Sequence, residues 1–249
     1  MITIKTKEEI EIIREGGKIL ASVVKELQNL AKPGTTTLEL DRAAEALILS
    51  AKAKPGFKNY DNFPYSLCAS VNENIVHGYP SNYVLKDGDI IGLDLGVFYK
   101  GYNTDMAITI PVGKVSFEAK RLIDVAKKSL RLGIKKVRPG NTVGDIGNTI
   151  QRFVEDQGFG VIRELCGHGI GKELHEDPKI PNFGKRGGGE ELIEGMVICI
   201  EPMISAGDYN LKKSADGYGY ATRDNSLSAH FEHTILVTKN GASILTEPE

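Results

Sequence analysis

The chain has 249 residues, of which 41% are apolar and 26% charged, and its formal net charge is −2. This near-neutral charge provides no electrostatic footprint for nucleic acid or an anionic membrane, and no apolar run approaches the roughly 18 residues of a membrane span. The N-terminal stretch carries charged residues where a signal peptide has an apolar core. The 3 cysteines, an odd number, argue against a disulfide framework. We therefore expect a cytoplasmic globular protein that binds neither nucleic acid nor membrane.

Two helices are predicted at the start of the chain. Thr6 and Glu9 form a capping-box signature, and apolar residues follow at helical spacing until Pro33-Gly34, where proline cannot continue a helix. Thr36 and Glu39 form a second capping box, which begins another helix. Loops and short strands follow, with strands expected at Ser66–Val71 and Asn74–His77.

The stretch from Ile91 to Asp105 is predicted to fold back as a hairpin. Asp94 and Asp105 lie symmetrically about Tyr99/Lys100, so a reversal there would make them directly opposed cross-strand partners. Two carboxylates about 4 Å apart repel by about 4 kcal/mol at an effective dielectric constant near 20. Either one of them holds a proton or a cation lies between them, unless both aspartates lie at solvated strand ends.

The second half of the chain repeats this order after Gly113. Ser116 is predicted to cap a third helix that ends at Pro139-Gly140, and Thr142 to begin a fourth helix with Asp145 in its first turn. Strands are then expected at Val161–Cys166, Met196–Ile200 and Phe231–Thr238.

An internal repeat is indicated, because Pro33-Gly34 and Pro139-Gly140 each separate a long helix from a second one. The same offset from Asp94 leads next to Glu201, and the second half also carries Glu232. Each half would then deliver two acids to a site at the junction. We predict a single domain over residues 1–249, built from two pseudo-symmetric halves at about 1–113 and 114–249.

Four converging carboxylates need compensation, and two divalent ions would balance their charge. Oxygen ligands suit Mn, Mg or Fe, and an imidazole would shift the preference toward transition metals. His168 is the candidate, because the glycines around it let the backbone approach closely; a hydrogen-bonded structural histidine is the alternative. Two-metal sites generate hydroxide near neutral pH, which leaves hydrolysis of peptide and of phosphate-ester bonds both open.

Six motifs follow one another along the chain: Asp94, Asp105, Cys166-Gly-His168-Gly-Ile-Gly, His175-Glu-Asp-Pro178, Ile200-Glu-Pro-Met203 and Phe231-Glu-His-Thr234. In order and spacing, these motifs together resemble the signature of type I methionine aminopeptidases over essentially the whole chain. The family has an α+β pita-bread fold, a curved antiparallel sheet with pseudo-two-fold symmetry backed by two helix pairs. The resemblance implies a dinuclear metal-dependent aminopeptidase that removes the initiator methionine from nascent polypeptides. We expect neither an N-terminal extension nor a long insertion between His175 and Glu201, as in the short type I form of the family.

The resemblance also implies roles for individual residues. Asp94 would chelate one divalent ion (Mn, Co, Fe or Zn), His168 and Glu201 would hold the other, and Asp105 and Glu232 would bridge the two. Glu201 would also act as general base on the bridging water. Two further histidines would act on the substrate: His77 at the scissile amide nitrogen, and His175 at the oxyanion.

By the same resemblance, an apolar slot for the methionine side chain would be lined by Phe57, Tyr60, Phe63, Cys68, Leu174 and Tyr218. Family members often have a cysteine at the position of Phe57, an aromatic residue at that of Leu174 and tryptophan at that of Tyr218. Some relatives bind a monovalent cation at positions that match Asn72, Asn74 and Ser228. The expected partners are nascent polypeptide N-termini, with the ribosome as a further candidate, and a monomer is expected.

Two other functions are considered. Asp94-Leu-Gly-Val and Tyr102-Asn-Thr-Asp105 also resemble the proline-directed relatives, aminopeptidase P and prolidase, whereas Ile200-Glu-Pro-Met203 favours the methionine enzymes. A non-catalytic binding module on the same fold is the other alternative, and the filled ligand positions argue against it. Near Glu232, His233 is expected either to point to the opposite strand face or to lie behind the metal ligands, and His230 has no assigned role.

Overall fold

Four helices are formed in the computed structural model, which describes residues 2–247. They begin at the predicted caps: Thr6 and Thr36 each form a capping box, and Ser116 Oγ accepts a hydrogen bond from the N–H of Ala119. The N–H of Thr142 donates to the carboxylate of Asp145 at 2.9 Å. The predicted helices are confirmed. Their bounds are α1 Lys7–Leu30, α2 Thr37–Ser50, α3 Phe117–Ile134 and α4 Val143–Asp156.

The strands fall into two blocks, one after α1 and α2 and the other after α3 and α4. Those of the first block are β1 Lys54–Pro55, β2 Cys68–Val71, β3 Asn74–Val76, β4 Ile90–Tyr99 and β5 Tyr102–Pro111. Those of the second block are β6 Gly160–Val161, β7 Cys166–Gly169, β8 Glu176–Pro181, β9 Val197–Ile200, β10 Met203–Ser205, β11 Leu211–Lys213, β12 Tyr220–Thr222, β13 Ser228–His230, β14 Glu232–Thr238 and β15 Gly241–Ile244. A single 3₁₀ turn at Tyr60–Asn62 lies between β1 and β2.

One large sheet spans both blocks. Its strands follow the order β1-β4-β5-β14-β9-β7-β8, and β2 and β15 pair with β4 and β14. Its pairings are antiparallel. Helices α1 and α2 pack on each other, and α1 covers β4 and β5, while α3 packs on α4, which covers β8. This is the antiparallel sheet backed by two helix pairs that the sequence predicts. Within residues 2–247, no helix is long and apolar enough to cross a membrane.

The register of the β4–β5 hairpin differs from the prediction. Tyr99 pairs with Tyr102, so Lys100 and Gly101 form a two-residue turn, and both have positive φ angles, 47° and 92°. This turn matches the twist of the flanking strands, and it moves the centre of the hairpin one residue beyond Tyr99/Lys100. Asp94 therefore opposes Ala107 and not Asp105. The prediction that the two aspartates are directly opposed is wrong; they are diagonal neighbours on one face.

The prediction of one strand at Val161–Cys166 is also wrong. β6 ends at Val161 and pairs with β10 in a small sheet, whereas β7 begins at Cys166 and joins the large sheet. Residues 162–165 connect the two sheets, which a continuous strand could not do. The predicted strands near 66–71, 74–77, 196–200 and 231–238 are formed within one or two residues. Several strands of two to four residues are too short to show a period of two, so the sequence did not indicate them.

Helix α1 touches the end of the chain through a glycine. A Cβ atom built on Gly17 would lie 2.1 Å from the carbonyl oxygen of Leu245, whereas one on Gly16 would lie 3.4 Å from Tyr99 Cβ. The first distance is a backbone clash and the second an ordinary contact. The close approach of α1 to the segment after β15 therefore requires a glycine at position 17.

We expect Gly17→Ala to lower the free energy of unfolding by about 1–3 kcal/mol, because the added methyl group overpacks a backbone contact. Gly16→Ala is the matched control, and we expect it to be neutral or to stabilise by up to about 1 kcal/mol through helix propensity. Urea unfolding of both variants measures the difference. Equal stabilities would contradict the assigned packing.

Candidate active site

Three carboxylates meet on one face of the large sheet. Asp94 on β4 and Glu232 on β14 both oppose Ala107 on β5, from its two sides. Asp105 lies two residues before Ala107 and so projects from the same face. One carboxylate oxygen from each of the three acids lies within 4.8 Å of the others. The small side chain of Ala107 leaves the space between them open.

Glu201 and His168 complete this group from the other half of the sheet. His233 pairs with Ile200, so the register continued by one residue places Glu201 beside Glu232. His168 Nε2 lies 3.6 Å from Glu201 Oε1 and 4.0 Å from Asp105 Oδ2. These distances are too long for hydrogen bonds and suit groups that share a cation.

The orientation of His168 is set by its own backbone. Its Nδ1 lies 2.8 Å from the carbonyl oxygen of Gly169, so Nδ1–H donates and Nε2 presents a lone pair to the acids. The glycines on both sides are required: a Cβ on Gly167 would lie 2.3 Å from the carbonyl oxygen of Cys199, and one on Gly169 2.1 Å from that of Asp177. They let β7 approach its neighbours closely.

Burial disfavours the ionised form of these four carboxyl groups. It raises the pKa of Asp94 from 3.8 to about 7. Burial, and then neighbouring carboxylates, raise the pKa values of Asp105, Glu201 and Glu232 well above their ordinary range. Burial lowers the pKa of His168 to about 3, so its imidazole is neutral, as a metal ligand must be.

Buried atoms without partners show that this donor set fits a divalent cation. Asp94 Oδ1, Asp105 Oδ1 and Glu232 Oε1 have no hydrogen-bond partner. Buried polar atoms are otherwise nearly always paired. Carboxylate oxygens with an imidazole are ligands that suit Mn, Fe, Co or Zn, and positive charge between the acids would relieve their repulsion.

A cavity of about 270 Å³ opens beside the acids, and every residue predicted to bind metal, to catalyse or to line the side-chain slot contributes to its wall. His77 holds a positive φ of 59° there, and burial lowers its pKa to about 4. His175 Nδ1 lies 2.9 Å from the hydroxyl of Tyr60. The His175 ring meets that of His168 edge to face, with centroids 4.4 Å apart.

The far end of the cavity is apolar and aromatic. Phe57, Phe63, Cys68 and Leu174 are buried. The Tyr218 ring packs 5.5 Å from that of Phe63 and stacks on Tyr79 at 4.9 Å. The predicted slot residues are therefore brought together, although their role in substrate binding stays a prediction.

The residues proposed for a monovalent cation lie outside the wall of this cavity. The N–H and Oγ of Ser228 both donate to the carbonyl oxygen of Asn72 at 3.0 Å. Asn74 donates its amide to the carbonyl oxygen of Val71 at 3.2 Å. The cation stays a hypothesis.

His230 is the one buried histidine at the site to which the sequence reasoning gave no role. Its Nε2 lies 3.6 Å from Glu201 Oε2 and 3.9 Å from Glu232 Oε2. The sequence spacing could have indicated this position, because His230 precedes Glu232 by two residues and residues two apart in a strand lie on the same face. His233 faces away, as predicted, with Nδ1 2.9 Å from Thr246 Oγ1.

Comparison with known proteins agrees with this geometry. Residues 11–239 match the sequence profile of Metallopeptidase family M24. The chain belongs to this family. A methionine aminopeptidase from Clostridium perfringens is 47% identical to this M24 protein over 99% of each chain.

Solved structures of M24 proteins have the same fold. A methionine aminopeptidase from Thermotoga maritima superimposes with a TM-score of 0.98 at 44% identity, covering 99% of this chain and 100% of the other. A prolidase from Pyrococcus furiosus superimposes with a TM-score of 0.78 at 28% identity, covering 99% of this chain and 66% of the other. The pita-bread fold and a metal-dependent aminopeptidase are therefore established for this chain, and the proline-directed alternative is not favoured.

Asp94 makes the metal-free protein sensitive to pH. The native state keeps a proton on this group up to about pH 7, whereas the unfolded chain releases it near 3.8. The contribution of protonated Asp94 to the free energy of unfolding is therefore fully present below pH 3.8. It is lost as the pH rises toward 7. Asp94→Asn is always neutral, so we expect it to gain about 2–4 kcal/mol relative to the parent over this window.

Urea unfolding in the presence of a chelator, at a series of pH values, measures this gain. Saturating Zn²⁺ is the control: it should stabilise the parent at pH 7 more than the variant, which lacks one of the predicted ligand carboxylates. A constant stability difference between pH 4 and 7 would refute a buried, protonated Asp94.

Proposed function

We propose that this chain is a methionine aminopeptidase that uses two divalent ions to hydrolyse the first peptide bond of polypeptides. The convergence of Asp94, Asp105, His168, Glu201 and Glu232 beside a cavity with an apolar end carries the proposal. Asp94 would hold one ion, His168 and Glu201 the other, and Asp105 and Glu232 would bridge them. The bound ions would supply an activated water and charge stabilisation near neutral pH.

Three residues around the ions would each have a separate role in the reaction. Glu201 would accept the proton of the attacking water, because its carboxylate lies among the groups that would hold the ions. His77 would contact the nitrogen of the scissile amide. His175 would stabilise the oxyanion through Nε2–H, the tautomer in which Nδ1 would accept a hydrogen bond from the Tyr60 hydroxyl that lies 2.9 Å away.

The apolar end of the cavity suits the side chain of an N-terminal methionine. Phe57, Phe63, Leu174 and Tyr218 surround it with flexible and aromatic surface, which favours contact with a thioether sulfur. Substrates would be nascent polypeptides in the cytoplasm, where the enzyme would act as a monomer. A monovalent cation near Asn72, Asn74 and Ser228, and docking on the ribosome, are further parts of this hypothesis.

Cleavage of Met-Ala-Ser tests the activity directly. We expect release of methionine that a chelator abolishes and that Mn²⁺, Co²⁺ or Fe²⁺ restores, because the bound ions would supply the activated water. Liquid chromatography of the products measures the cleavage. Hydrolysis of Ala-Pro peptides with no release of methionine by the metal-loaded protein would instead favour a prolidase-like activity.

Tyr60→Phe tests the orientation of His175. The substitution removes one hydrogen bond to Nδ1, so we expect kcat to fall roughly 5- to 10-fold, which corresponds to about 1–1.4 kcal/mol. Tyr79→Phe is the matched control, because Tyr79 packs on Phe63 and Tyr218 of the predicted slot but has no hydrogen bond to His175. Equal kcat values in steady-state assays of the two variants would remove the assigned role of Tyr60.

A further inference from the structure

We propose that His230 is an additional ligand of the metal centre, which would place an imidazole on each side of Glu201. This inference rests on the proposed function, since it concerns the same ions. It adds a sixth protein ligand to the five implied by the sequence motifs, and a second nitrogen donor to a set otherwise made of one imidazole and four carboxylates.

The positions of the two imidazoles relative to the acids are nearly equivalent. His168 Nε2 lies 3.6 Å from Glu201 Oε1 and 4.0 Å from a second acid, Asp105. His230 Nε2 lies 3.6 Å from Glu201 Oε2 and 3.9 Å from a second acid, Glu232. One potential ligand atom from each of Glu201, His230 and Glu232 lies within 4.8 Å of the other two. The distances that support His168 as a metal ligand therefore support His230 equally.

The environment of His230 indicates an absent partner. The residue is 3% exposed, and its Nε2 has no hydrogen-bond partner. A histidine that served only to fill the core would be expected to bond both ring nitrogens or to leave one in solvent. Here Nε2 faces two carboxylates at distances beyond a hydrogen bond, as expected of atoms arranged around an ion.

Hydrogen bonds fix the backbone of His230. His230 N–H donates to Thr109 Oγ1 at 2.9 Å, and the Thr109 hydroxyl donates back to the His230 carbonyl oxygen at 2.9 Å. His230 also pairs with Met203 across β13 and β10. The strand is thus tied on both sides immediately before Glu232, which fixes the backbone position from which the imidazole extends toward the acids.

A second imidazole would change which metals the site prefers. Imidazole suits Zn, Co and Fe, whereas carboxylate and water suit Mg and Mn. With two nitrogen donors, the ion held by Glu201 should discriminate against Mg²⁺ more strongly than a site with one imidazole.

Nuclear magnetic resonance of protein labelled with ¹⁵N-histidine, titrated with Zn²⁺ alone, counts the ligating imidazoles. The chain has 5 histidines, so each ring can be followed. We expect the parent protein to show two metal-bound rings, His168 and His230, and His230→Gln to show one. His233→Gln is the matched control, since His233 faces Thr246 and not the acids, and it should keep two.

Calorimetric titration with Zn²⁺ gives a second measurement, in which His230→Gln should bind one ion about tenfold or more weakly and His233→Gln within about twofold of the parent. One metal-bound ring in the parent, with unchanged affinity in His230→Gln, would overturn the proposal while leaving the metal-dependent enzyme intact. No Zn²⁺ binding by the parent would overturn both. Because the ring count comes from the parent, the test does not depend on the folding of any variant.

Discussion

The concentration of negative charge in a buried space is the constraint on which the rest of this structure depends. Four carboxylates from both halves of the chain lie close together with little access to solvent, and several of their oxygens have no partner. Such an arrangement is stable only if protons or cations neutralise it. The sheet, the glycines beside His168 and the tight turn at Lys100-Gly101 can all be understood as the means of holding these groups in register. The stability of the fold and its ability to bind metal are therefore linked.

Much of this arrangement could be predicted from the sequence. Caps and apolar periodicity predicted all four helices within a few residues, because these signals are local. The spacing of Asp94, Asp105, His168, Glu201 and Glu232 identified the family, and the structure gathers those residues at one cavity. The division into two pseudo-symmetric halves remains a prediction, although the large sheet draws its strands from both.

The errors arose where a turn conformation or a change of sheet decided the outcome. The hairpin register depended on a two-residue turn with positive φ at both positions, and a symmetric count about the aspartates could not reveal it. The segment after Val161 crosses between sheets, and nothing local marks that change. His230 was overlooked because the residue between β13 and β14 interrupts the strand pattern, although the spacing from Glu232 was itself informative.

The pairing of β14 with both β5 and β9 has a consequence for synthesis of the protein. Glu232 lies on β14, which pairs between β5 and β9, two strands that precede it along the chain. Until β14 has been synthesised, the chain contains its two aspartates but not the complete group of acids. The order of the strands therefore delays completion of the site until β14 has been made and has entered the sheet.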